Sequence, residues 1–126
     1  MTDTSVLDQF QPFIGNAALK YEVDPCLIGA VILHESNGNP EAVGDAGLAR
    51  GLMQLHKVAC EQVGFDWGDM FVPEQNIACG TAYLRWCYDH VTPDWFWALA
   101  AYNQGPTVIR RGYDYAAAVM KLEGEI

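Results

Sequence analysis

A glutamate placed at the end of a helix with no polar face is held against its chemical preference, and Glu35 occupies such a place. Residues 26–33 (Cys-Leu-Ile-Gly-Ala-Val-Ile-Leu) are apolar on every side, and Glu35 follows one turn after Val31 and two turns after Leu27. Burial disfavours the ionised carboxylate, and the negative end of the helix dipole disfavours it again, so its pKa is expected to be raised. An acid that keeps its proton near neutral pH can give it to a departing oxygen, which is what cleavage of a glycosidic bond requires. The competing reading is an ordinary helix-end glutamate facing water.

Asp45 is the candidate second carboxylate. It lies six residues before Gly51 in a loop rich in glycine. A sugar-inverting hydrolase needs such a group ~6.5–9.5 Å from its acid, to activate water. An aspartate in a glycine-rich loop also commonly does no more than start a turn. His34-Glu35 looks like half of a zinc-protease motif, but the fifth position is Gly38 instead of histidine, so that reading fails and no metal is expected. The four cysteines, Cys26, Cys60, Cys79 and Cys87, lack C-x-x-C spacing. They read as buried thiols or a single disulfide rather than a metal site.

Helices must position these groups. Apolar residues at three- and four-residue intervals over 5–21 predict an amphipathic helix, with Pro12 making a bend or marking its true start. Asp24 and Pro25 supply a cap and first position for the apolar helix, and Asn37-Gly38 with Pro40 supply its stop. Residues 41–51 read as an irregular loop and 56–63 as a short helix. After a loop over 67–72, Pro73 opens a long helix to His90; Thr92-Pro93 then caps an aromatic-rich helix over 94–102. Two segments, 107–111 and 113–122, close the chain. No alternating strand pattern stands out, so the class is mainly α. Trp95, Phe96 and Trp97 are expected in the core, Tyr102 in a cleft, Trp67 only weakly so, and His56 and His90 at the surface of helix ends.

Composition narrows the function. With 7 basic and 16 acidic residues among 126, the net charge of −9 offers nothing to a phosphate backbone, so nucleic acid is not an expected partner. The same charge argues against steering onto an anionic polymer, so affinity must come from a groove. No apolar run is long enough for a membrane span. Residues 1–10 contain no lysine, arginine or apolar stretch and do not read as a secretory signal.

Taken in order, Glu35-Ser36, Gly51-Leu52-Met53-Gln54-Leu55, Asn76-Ile77 with Gly80 and Tyr83-Leu84, and Ala101-Tyr102-Asn103-Gln104-Gly105 resemble the catalytic domain of soluble lytic transglycosylases and the related goose-type lysozymes. The resemblance runs from about Tyr21 to Val119. It implies one mainly α, lysozyme-like domain over residues 1–126, monomeric and without cofactor, whose cleft holds peptidoglycan. The implied reaction cleaves the β-1,4 bond between N-acetylmuramic acid and N-acetylglucosamine, by a lytic transglycosylase that leaves 1,6-anhydro-muramic ends. The alternatives are a goose-type hydrolytic lysozyme and, behind it, a non-catalytic wall-binding or virion module. The implied roles are Glu35 as acid/base, Ser36 as its polar neighbour, Met53 and Gln54 lining the cleft, and Tyr102 with Asn103 flanking the glutamate.

Three positions depart from the resemblance. Arg111 stands where many relatives have a glutamate, His56 where goose-type lysozymes have an aspartate, and Asp45 where many transglycosylases have a serine. Without a secretory signal, a wall-cleaving chain of this kind is expected to reach its substrate as a bacteriophage lysis or virion protein, or as part of a secretion apparatus.

Overall fold

A computed structural model describes residues 2–126. Helix α1 covers Gln11–Tyr21 and is preceded by a 3-10 segment, Ser5–Phe10, so the single helix expected over 5–21 is two pieces. Pro12 sits in the first turn of α1, where its missing N–H costs nothing, and thereby marks the start of the regular helix.

Helix α2, Pro25–Ser36, follows its sequence signals closely. The Asp24 carboxylate accepts the Cys26 N–H at 2.8 Å, and Asn37 ends the helix in a left-handed conformation with its N–H on the Leu33 carbonyl. Every residue from Leu27 to Leu33 is buried. Helices α1 and α6 pack against α2. Its apolar circumference therefore has protein on several sides, and only its two ends, Pro25 and Cys26 at the start and His34, Glu35 and Ser36 in the last turn, reach less buried surroundings.

The loop over 41–51 is better ordered than its composition suggests. Strands β1, Val43–Gly44, and β2, Ala49–Arg50, form an antiparallel ribbon with Val43 opposite Arg50 and Gly44 opposite Ala49. Two-residue strands are too short to show a period, which is why the mainly α reading contained no strand. The ribbon tip, Asp45–Gly47, turns through three consecutive positive φ angles of 49°, 57° and 92°.

Helix α3, Lys57–Val63, and a 3-10 turn, Trp67–Asp69, lead to the longest helix, α4, Pro73–His90. Helix α5, Trp95–Gln104, runs two residues beyond the predicted end, and its cap is Asp94, whose carboxylate accepts the Phe96 N–H, rather than Thr92-Pro93. The 3-10 turn Ile109–Gly112 then lies on α5 and leads into α6, Tyr113–Glu123. All four cysteines are free thiols; the Sγ atoms of Cys60 and Cys79 lie 3.6 Å apart in the core.

Candidate active site

Glu35 is half-buried, and its Oε2 accepts a hydrogen bond from the Tyr115 hydroxyl of α6 at 3.1 Å. Burial pushes its carboxyl up to about 7; the nearby charge of Asp45 adds to the rise, and the Tyr115 hydrogen bond opposes it. Tyr115 is itself buried and meets the His34 ring edge-on, with centroids 5.0 Å apart. Its phenol, like that of Tyr102, is raised by burial and by the charge of Glu35, so both stay neutral hydrogen-bond donors. The resemblance matches Tyr115, four residues after Arg111, to a tyrosine of that family, but no local signal marks its contact with Glu35, which lies 80 residues away.

The segment from Arg50 to Leu55 is fastened on several sides. Asn76, fully buried in α4, accepts the Met53 N–H at 2.8 Å and donates its amide to the Arg50 and Met70 carbonyls at 2.9 and 2.8 Å. Gly51 turns at φ +76°, and a Cβ there would lie 2.2 Å from the Met70 carbonyl oxygen, so only glycine fits. Ser36 ties the end of α2 to this loop by donating its hydroxyl to the Leu52 carbonyl at 2.8 Å. Trp67 closes the far side, with its indole N–H on the Leu55 carbonyl at 2.9 Å and the Arg50 guanidinium 3.4 Å above its ring.

The expected site residues thus divide into two groups. Gln54, Tyr102 and Asn103 line one cavity of about 240 Å³, together with Leu55, His56, Tyr83 and Gln104. Glu35, Ser36, Asp45 and Met53 do not line it. Met53 is wholly buried, with its thioether packed on Gly80, and it turns only its carbonyl toward Tyr102, which donates to it at 2.6 Å. The Gln54 amide is folded back onto the Ala42 and Gly51 carbonyls at 3.1 and 3.0 Å. Tyr102 is the link between the two parts of the site, because it lines the cavity and also feels the charge of Glu35.

Asp45, at the ribbon tip, accepts a hydrogen bond from His56 Nε2 at 2.7 Å, and both side chains are exposed. His56, expected only as a surface residue at a helix end, is thus part of the cavity wall and the partner of Asp45. Arg111 is exposed in the 3-10 turn before α6 and lines a different cavity, with Thr107 and Arg110. Among the described residues, no three His, Cys, Asp or Glu side chains converge as metal ligands would.

The arrangement provides one acid poised near neutrality, a neutral phenol hydrogen-bonded to it, a second carboxylate within electrostatic reach, and a neighbouring cavity lined by aromatic and amide groups. Those are the parts needed to protonate a leaving oxygen in a bound sugar chain.

Comparison with known proteins shows the family and the fold. Residues 12–122 match the Transglycosylase SLT domain family. The membrane-bound lytic murein transglycosylase F of Pasteurella multocida is 38% identical over 108 residues, covering 80% of this chain and 21% of that protein. The transglycosylase of Enterobacteria phage PRD1 is 36% identical over 116 residues, covering 90% of this chain and 42% of that protein. An inactive mutant of lytic transglycosylase Slt from Pseudomonas aeruginosa superposes with a TM-score of 0.78 at 23% identity, over 90% of this chain and 23% of the other. The 70-kDa soluble lytic transglycosylase of Escherichia coli does so with a TM-score of 0.71 at 23% identity, over 91% of this chain and 22% of the other. These two structures share the fold. The chain spans between about a fifth and two-fifths of the length of these relatives.

Proposed function

Because the chain belongs to the Transglycosylase SLT domain family, we propose that it is a peptidoglycan lytic transglycosylase, with Glu35 as its sole acid/base. The observation that carries this reading is a half-buried Glu35 carboxyl, hydrogen-bonded to Tyr115 and raised toward neutrality by burial, with Tyr102 linking it to a cavity of about 240 Å³. Protonated Glu35 gives its proton to the glucosamine O4 as the bond to the muramic C1 breaks. The carboxylate so formed takes the proton of the muramic C6 hydroxyl, whose oxygen attacks C1 and closes the 1,6-anhydro ring. The Tyr115 hydroxyl steadies the carboxylate between the two transfers. The acid is thereby regenerated without water entering the balance.

In this reading Tyr102 and Asn103 contact the glycan in the cavity, Gln54 shapes its wall, and Ser36 and Met53 hold the loop that carries Gln54. The substrate is the glycan strand of the bacterial cell wall. No helix among the described residues is long and apolar enough to cross a membrane. A monomer of one domain acting after release or delivery by a phage fits the exposed cavity and the likeness to the PRD1 transglycosylase.

Hydrolysis is the second reading, favoured by one observation: the charge of Asp45 reaches Glu35. Mass spectrometry of fragments from purified peptidoglycan separates the two. Ends 18 mass units lighter than reducing sugars are expected, and exclusively reducing ends would overturn the transglycosylase assignment.

A further inference from the structure

Asp45 has a partner that the proposed reaction does not use. The ribbon tip holds Asp45 and Ala46 in left-handed conformations, φ 49° and 57°, a geometry that fixes where the Asp45 side chain leaves the backbone. From there the carboxylate receives the Nε2–H of His56 at 2.7 Å, across eleven residues of chain. His56 itself lines the cavity beside Tyr102 and Asn103, and Asp45 is the carboxylate whose charge is felt at Glu35. The pair therefore ties the ribbon tip to the cavity wall.

Once Glu35 has protonated O4, the muramic C1 has two exits. In ring closure the C6 oxygen bonds to C1, and its proton returns to Glu35. In hydrolysis a water oxygen bonds to C1, and a second base must accept the water proton. Asp45 can serve as that base only with its lone pairs and charge available. A carboxylate that accepts an imidazole N–H at 2.7 Å is a weaker base, because the charge it would offer to a water proton is already shared with that donor.

We propose that His56 is a specificity-determining residue: by holding the Asp45 carboxylate, it keeps that group from activating water and commits the sugar to closure by its own C6 hydroxyl. The inference rests on the transglycosylase reading and adds to it a hydrolase held in check within the same site. His56 does not touch the reacting atoms, and acts through Asp45.

The test is digestion of purified peptidoglycan in oxygen-18 water by the wild type, His56→Ala, Asp45→Asn and the double variant, with anhydro and labelled reducing ends counted by mass spectrometry. Both side chains are exposed, so all four proteins are expected to melt at similar temperatures. Wild type and Asp45→Asn should give anhydro ends. His56→Ala should raise the labelled fraction by about tenfold, within the ~100-fold that a positioned general base contributes, and the double variant should return it to the wild-type level. An unchanged ratio in His56→Ala overturns the proposal, as does a rise that survives in the double variant, because that would mean a cleft merely opened to water. Labelled reducing ends as the main product of the wild type overturn the transglycosylase reading instead, so the two failures are told apart by which protein shows them.

Discussion

Glu35 ionises in a place that little water reaches, and the energetic consequence can be measured apart from catalysis. Its carboxyl ordinarily titrates near 4.5 and here near 7, so the folded chain binds this proton more tightly than the unfolded one. The stability it contributes is therefore complete below about 4.5 and is lost as pH rises through about 7. Glu35→Gln keeps a side chain that Tyr115 can donate to but has no charge to bury. At pH 8 it should be more stable than wild type by about 1–3 kcal/mol, and the gap should close below pH 4.5 in thermal melts. The same variant should lose roughly a hundred- to ten-thousand-fold in wall-clearing rate, since an amide cannot supply the proton. A variant both destabilised at pH 8 and active would refute the assignment. Tyr115→Phe is the complementary case. The hydrogen bond it removes lowers the Glu35 pKa, so the alkaline limb of the rate profile should move upward from about 7, with a smaller maximal rate.

At the scale of elements, what could be read from the chain and what could not separate by the range of the interaction. The limits of α2 were written locally, in Asp24, Pro25 and Asn37, and so was the unusual environment of Glu35. The ribbon was not, because two-residue strands show no period, and neither were the Tyr115 hydroxyl and the His56 partner, which depend on residues brought together from separate elements. Gln54, Tyr102 and Asn103, named through resemblance, share one cavity, yet resemblance alone could not tell that Met53 turns its carbonyl rather than its side chain to Tyr102. Asn76 shows how the long-range part is secured. It makes three hydrogen bonds from a fully buried side chain, and Asn76→Ala would strand the Met53 N–H and two carbonyls. A loss of about 2–4 kcal/mol is expected in denaturant melts, together with lower activity, since the loop over 50–55 would lose its anchor. Asp94→Ala provides the contrast. It removes only the α5 cap and should cost about 1 kcal/mol while leaving the rate per folded molecule unchanged.

The whole molecule brings a negative surface to its substrate. Sixteen acidic residues face seven basic ones, and of the basic groups Arg50 is spent on Trp67 and Arg85 on Asp89 and the Glu22 carbonyl. If the substrate is the anionic cell wall, as proposed, long-range forces oppose the encounter, and binding would be carried by short-range contacts in the cavity around Tyr102 and Asn103. Repulsion between exposed charges is screened over a Debye length that shrinks from ~30 Å at 0.01 M salt to ~8 Å at 0.15 M, whereas contacts inside the cavity are hardly affected. Added salt should therefore speed the reaction on intact walls over this range by lowering KM, and leave kcat unchanged. Short uncharged glycan fragments should show almost no salt dependence, because they meet the cavity without a polyanion attached. Steady-state rates on walls and on fragments, measured from 0.01 to 0.15 M sodium chloride at constant pH, distinguish this from the opposite behaviour. A rate on walls that falls as salt is added would mean that a local cationic patch captures the polymer, and Arg110 and Arg111, exposed together before α6, would then be the first residues to replace.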